Sequence, residues 1–157
     1  MTNPDILREA QTPTGRSSAV TAKWAEAADA GFQVLPDVLL KNQSDLGIAA
    51  TELVVLINLT MHWWYPTQKP FPRSTTIARR MGVDVRTVQR SLNRLTALGL
   101  IQRIKVKTET GDSIVIDLGG LVSKLRKLAV RDAAYIPRRG TMPVESGVAM
   151  PDSRAED

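Results

Sequence analysis

Arg73 to Ile101 reads RSTTIARRMGVDVRTVQRSLNRLTALGLI, and its punctuation decides the fold. Ser74 offers a side-chain cap for a helix through Met81, Gly82 breaks that helix, and Asp84 caps a second one reaching Leu98. Ile77, Ala78 and Met81 share a face of the first helix, while Val88, Leu92 and Leu95 recur at i, i+4 and i+7 along the second. Two short helices with a buried stripe each, joined by a tight turn, form a helix-turn-helix.

Turning away from the second stripe brings Arg86, Gln89, Arg90 and Asn93 to one face. Arginine can grip guanine O6 and N7 with two donors, and Asn or Gln can match adenine N6 and N7. A solvated polar face would use the same residue types. The charge distribution favours the first reading. Between Lys69 and Lys107 ten Lys or Arg stand against one acid, Asp84, a net charge of +9 in a chain whose total is +5, so the remainder sums to −4. Such segregation points to a polyanionic partner.

The 157 residues suffice for one domain with a real core plus extensions. There is no cysteine, hence no disulfide, thiolate nucleophile or zinc knuckle, and His62 is the only histidine. No Walker-type glycine run or closely spaced carboxylate pair is present, so the expectation is a non-enzymatic protein without cofactor or metal. Leu53 to Trp64, the longest apolar stretch, is interrupted by Asn58, Thr60 and His62, and no membrane partner is expected. The start MTNPDILREAQT lacks the basic and apolar regions of a signal peptide, which makes a cytoplasmic, nucleoid-associated protein the default.

Working outward, residues 1–17 read as a flexible arm, and 18–31 as a helix over Ser18–Ala30 stopped by Gly31, with Trp24 packing within the chain. Phe32 to Leu46 begins extended and turns helical at Pro36. Ala49 to Trp64 is the scaffold helix, with Leu53, Leu56, Ile57 and Thr60 as its stripe and the cluster from His62 to Tyr65 closing the core. Pro66 to Pro72 is a constrained loop. After Gly99 the period changes to two. Leu100 to Lys107 alternates, Thr108 to Gly111 turns, and Asp112 to Leu118 returns, which predicts a hairpin with Arg103, Lys105 and Lys107 along its outer face. Residues 119–134 form a terminal helix and 135–157 a disordered tail. Either the Ser18–Ala30 or the Gly119–Ala134 helix is a candidate for homodimer contact.

The succession LGIAATELVVLINL, then FPRSTTIARRMGVDVRTVQRSLNRLTALGLI, resembles the winged helix-turn-helix domains of bacterial, phage and plasmid proteins, among them transcriptional regulators and the N-terminal modules of replication initiation proteins. The resemblance rests on Pro72 and Ser74, Ile77 and Ala78, Gly82 and Val83, Arg86 to Arg90, and Leu95 with Gly99, Leu100 and Ile101, with Asp84 where a Ser cap is usual. It implies a mainly α fold with a β-hairpin wing spanning residues 32–118, and sequence-specific binding of double-stranded DNA. Base readout is then expected from Arg86, Thr87, Gln89, Arg90 and Asn93, and phosphate contact from Ser74, Thr75, Arg79, Arg94, Lys105 and Lys107. A transcriptional regulator is the first reading. A replication-initiation or origin-binding accessory of a mobile element, and a protein-interaction module, are the alternatives.

Overall fold

The computed structural model describes residues 16–135; the expected arm up to residue 15 and the tail from 136 lie outside them. Its elements are α1 (Arg16–Trp24), a 3₁₀ segment (Ala25–Ala30), α2 (Asp37–Lys41), α3 (Ala50–Thr60), α4 (Ser74–Met81), α5 (Val85–Ala97), an antiparallel hairpin of β1 (Gln102–Thr108) and β2 (Gly111–Asp117), and α6 (Gly119–Ala129). This is the winged helix-turn-helix that the sequence predicts.

The core forms where α3 meets α5 and α5 meets α4. Val55, Leu56 and Leu59 of α3, Ile77 and Ala78 of α4, and Val88, Leu92 and Leu95 of α5 are buried together, continued by Leu100, Ile116 and Leu121. The α5 stripe is the expected one; the α3 stripe is not. Of its expected members only Leu56 is fully buried, with Leu53, Ile57 and Thr60 half-exposed. LVVLINL carries apolar groups on most sides, so periodicity alone does not single out the covered face.

Helix α3 starts without a side-chain oxygen at Ala49; instead Glu52 Oε2 reaches back to accept the Ala49 N–H at 2.8 Å. It ends at Thr60, short of the expected Trp64. The chain ahead is committed to PTQKPFP, and proline cannot continue a helix. Of the aromatic cluster only Trp63 packs on the core, while Trp64 and Tyr65 are 68% and 55% exposed.

The turn between α4 and α5 is local chemistry throughout. Arg73 has extended backbone and is the residue at which α4 opens, so Ser74 is the first helical residue rather than the cap, and no side chain caps α4. Gly82 takes the left-handed conformation (φ 65°, ψ 33°), and the Val83 N–H returns to the Ala78 carbonyl at 3.1 Å, which closes the helix end. Asp84 Oδ1 accepts the Arg86 N–H at 2.6 Å and starts α5. The far end of α5 repeats the device, with the Leu100 N–H on the Leu95 carbonyl at 3.1 Å.

The hairpin pairs Gln102 with Asp117 through to Thr108 with Gly111. Leu100 and Ile101, expected as opposite-facing strand residues, precede β1 and are both buried. Two clamps fix the hairpin base to the proline loop: the Ile116 N–H donates to the Pro70 carbonyl at 2.8 Å, and Lys69 Nζ lies 3.6 Å from Asp117 Oδ2. Helix α6 then runs back over the exit of α5. The Leu121 N–H donates to the Leu100 carbonyl at 2.8 Å, and Lys124 Nζ donates to the Leu98 carbonyl. Leu121 and Leu125 are buried in this domain's own core, and α6 ends at Ala129 rather than 134. Just beyond it, Asp132 accepts the Ala134 N–H and meets Lys41 at 3.2 Å, and these contacts hold its carboxyl below the ordinary range.

The N-terminal helix departs most from expectation. It begins at Arg16 and breaks at Ala25, where φ is +48°, and AEAADA continues as a 3₁₀ segment with no buried residue. Trp24 does not pack within the domain: it is 59% exposed, with Lys23 Nζ 5.6 Å from its ring centre. An alanine and acid run has no large apolar group with which to dock the helix.

A Cβ on Gly120 would stand 2.1 Å from the Gly99 carbonyl oxygen, a backbone atom with no room to retreat. Gly120→Ala is therefore expected to lower unfolding free energy by about 2–3 kcal/mol in a urea titration, as overpacking does. Asp84→Ala, which leaves the start of α5 uncapped, is expected to lower it by about 1 kcal/mol in the same assay.

Candidate nucleic-acid interface

Because Val88, Ser91, Leu92 and Leu95 are buried, the opposite face of α5 is fixed, and it carries Arg86, Arg90 and Asn93, all exposed. Gln89 is also exposed and lies on the flank turned towards the wing. Thr87 is half-buried on the other flank, which it shares with Arg94 two turns on. Arg94 Nε lies 3.9 Å from Glu52 Oε1 at the start of α3, so its charge is partly engaged there.

Between α4, α5 and the hairpin runs an open groove of about 1080 Å³. Arg73, Ser74 and Thr75 line it from the start of α4, Gln89 and Asn93 from α5, and Arg103 and Ile114 from the hairpin. The uncapped start of α4 matters here. The first N–H groups of a helix have no partner within it and carry the positive end of its dipole. Set beside the Ser74 and Thr75 hydroxyls and the Arg73 guanidinium, they make the groove wall suited to an anion.

The pairing of the strands sets the orientation of the wing cations. Arg103, Lys105 and Lys107 stand opposite Ile116, Ile114 and Asp112, three residues that line the groove. That face of the hairpin borders the groove, with Arg103 in its lining and Arg103, Lys105 and Lys107 all exposed along it. Ile114, apolar and 51% exposed, sits in the middle of this charged surface.

Of the residues singled out from the sequence, Gln89, Asn93, Ser74 and Thr75 come together in the groove, Arg86 and Arg90 extend along the outer face of α5, and Lys105 and Lys107 lie on the wing. Arg79 is exposed on α4 outside the groove lining, and Arg94 and Thr87 occupy the flank away from it. Arg73 is legible in the sequence only as a member of the basic block and Arg103 as a wing cation; that both line one groove with Asn93 needs the tertiary structure.

His62 is engaged by Arg80, whose Nη1 lies 3.1 Å from its Nε2. A guanidinium only donates, so Nε2 is the acceptor and the ring proton is on Nδ1. No group of three or more His, Cys, Asp or Glu able to hold a metal occurs among the described residues, and none of their helices is long and apolar enough to cross a membrane.

Residues 46–101 match the model of a family described as a helix-turn-helix domain. That span begins just before α3 and ends at the foot of the wing. Among solved structures, the crystal structure of a transcriptional regulator is similar over 73% of this chain and 76% of its own, at 23% identity and a TM-score of 0.39, a likeness too loose to bear on function. No curated protein matches the sequence.

Proposed function

We propose that this winged helix-turn-helix protein binds double-stranded DNA in a sequence-specific manner and acts as a transcriptional regulator. The observation that carries the reading is the outer face of α5, where Arg86, Gln89, Arg90 and Asn93 stand exposed beside a groove whose other walls supply Arg73, Ser74, Thr75 and Arg103. Helix α5 enters the major groove, the one groove of B-DNA wide enough for a helix and carrying a distinct donor and acceptor pattern for each base pair.

In this reading Arg86, Gln89, Arg90 and Asn93 read base edges. Ser74, Thr75 and the free N–H groups at the start of α4 hold one phosphate, and Lys105 and Lys107 follow the backbone from the wing. Thr87 and Arg94, on the flank facing α3, contribute at the margin of the footprint. Arg79 meets the backbone beyond α4. RNA is the poorer partner, because the deep narrow major groove of an A-form helix does not admit α5.

Selection of bound sequences from a random duplex library at two salt concentrations tests this. One enriched motif is expected at both, and a palindromic motif would show two copies on half-sites about 34–36 Å apart. Binding without enrichment that vanishes steeply as salt rises would reduce the basic block to an electrostatic footprint and overturn the proposal. The genomic location of the motif, upstream of genes or inside an origin, separates regulation from a replication role.

On the selected site, Arg90→Ala is expected to cost about 1–3 kcal/mol and to relax specificity at one or two positions, whereas Lys107→Ala weakens all sequences alike and lowers the salt slope by about 1. Equal losses on cognate and scrambled duplex for Arg90→Ala would remove that residue from base readout.

A further inference from the structure

Arg103 Nη2 donates to Asn93 Oδ1 at 2.7 Å, joining the wing to the outer face of α5. The arginine starts from a fixed place. It is the second residue of β1, pairs with the buried Ile116, and Ile116 is in turn tied by its N–H to the Pro70 carbonyl at 2.8 Å. A guanidinium has no acceptor, so the carboxamide atom it meets is the oxygen, and the orientation of the Asn93 side chain follows. One lone pair of Asn93 Oδ1 is engaged by a cation; its Nδ2 amino group, with two donors, is left for whatever fills the groove.

That orientation bears on which base Asn93 accepts. An asparagine that reads adenine receives the N6 amino group on Oδ1 while donating to N7. Here the N6 amino group would have to share that oxygen with a guanidinium; a second lone pair is open to it, but the positive charge beside the oxygen opposes the approach of a further N–H donor. Cytosine presents the same difficulty through its N4 amino group. Guanine O6 and N7, or thymine O4, face the asparagine with acceptors and suit a side chain that donates only.

Resting on the DNA-binding reading above, we propose that Arg103 is a positioning residue that sets Asn93 as a donor, so that the base it contacts is a keto base, guanine or thymine, in preference to adenine or cytosine. Arg103 also lines the groove, and a guanidinium there, which donates and never accepts, reinforces the same choice. The usual equation of asparagine with adenine does not hold at this position.

The test is the random-duplex selection carried out on the full chain and on Asn93→Ala and Arg103→Met, with the salt slope measured for each. Asn93→Ala is expected to flatten one position of the motif, and at that position the unaltered protein favours guanine or thymine over adenine by about tenfold. Arg103→Met frees the asparagine oxygen, so adenine should rise to within about twofold of the keto bases there while other positions keep their preferences. The lost charge of this variant weakens all sequences together and appears in the salt slope, not in the base ratio. Both side chains are exposed, so neither change removes a core contact. Adenine or cytosine preferred by the unaltered protein at that position, an unchanged base ratio in Arg103→Met, or an Asn93→Ala motif with no flattened position would each overturn the assignment. Absence of any enriched motif in the unaltered protein would instead overturn the DNA-binding reading itself.

Discussion

The packing of α5 on α3 is the constraint from which the rest of the molecule follows. Val88 and Leu95 on one helix and Val55, Leu56 and Leu59 on the other are essentially fully buried, and each such side chain contributes about 1.5–3 kcal/mol by leaving water. A helix of 3.6 residues per turn that spends one side on this contact has one side left. Arg86, Arg90 and Asn93 are exposed because Val88, Leu92 and Leu95 are not. The face offered to a partner is therefore a consequence of the core, and the core holds its direction.

The wing is bound to that frame at several points, which is why it can be counted as part of one surface. Its base is held from the proline loop by Pro70 and Lys69, while Leu100, just before β1, is held from α6 by Leu121. Asp117 works twice, meeting Lys69 and accepting the Gly119 N–H at 2.7 Å to begin α6. Gly120 lets that helix approach the backbone at Gly99. These contacts lie at the foot of the hairpin, whereas Lys105 and Lys107 stand further out on β1. Loops anchored at their base carry function at the tip, where the cost of movement is small.

How far the sequence could be read depended on whether a feature is local. The turn at Gly82, the cap at Asp84, the stripe of α5 and the change of period after Gly99 each arise from residues a few positions apart, and each is found in place. The covered face of α3 was not legible, since a helix with apolar groups on most sides is oriented by its neighbours. Trp24 and Trp64 were assigned to packing by residue type, but one follows into an alanine-rich segment with nothing to anchor it and the other into a proline loop. The groove was the least legible feature, because it joins three segments: Arg73 and Ser74 come from the start of α4, Gln89 and Asn93 from α5, and Arg103 from the wing.

The side chains proposed for base readout differ in how far they are already held in place. Among the described residues, no hydrogen bond or ion pair holds the side chains of Arg86, Gln89 and Arg90, and ordering a long side chain on a partner costs about 0.5–1.5 kcal/mol each. Such side chains can adapt to a partner and lose entropy in doing so. Asn93 is already oriented by Arg103, so in the proposed reading it would lose less entropy on a base and its choice of base would be set before DNA arrives. The cation that orients it lies on the wing, and the wing is placed by the proline loop and α6. The orientation of that one side chain is thus a property of the whole fold, assembled from residues that span Pro70 to Leu121.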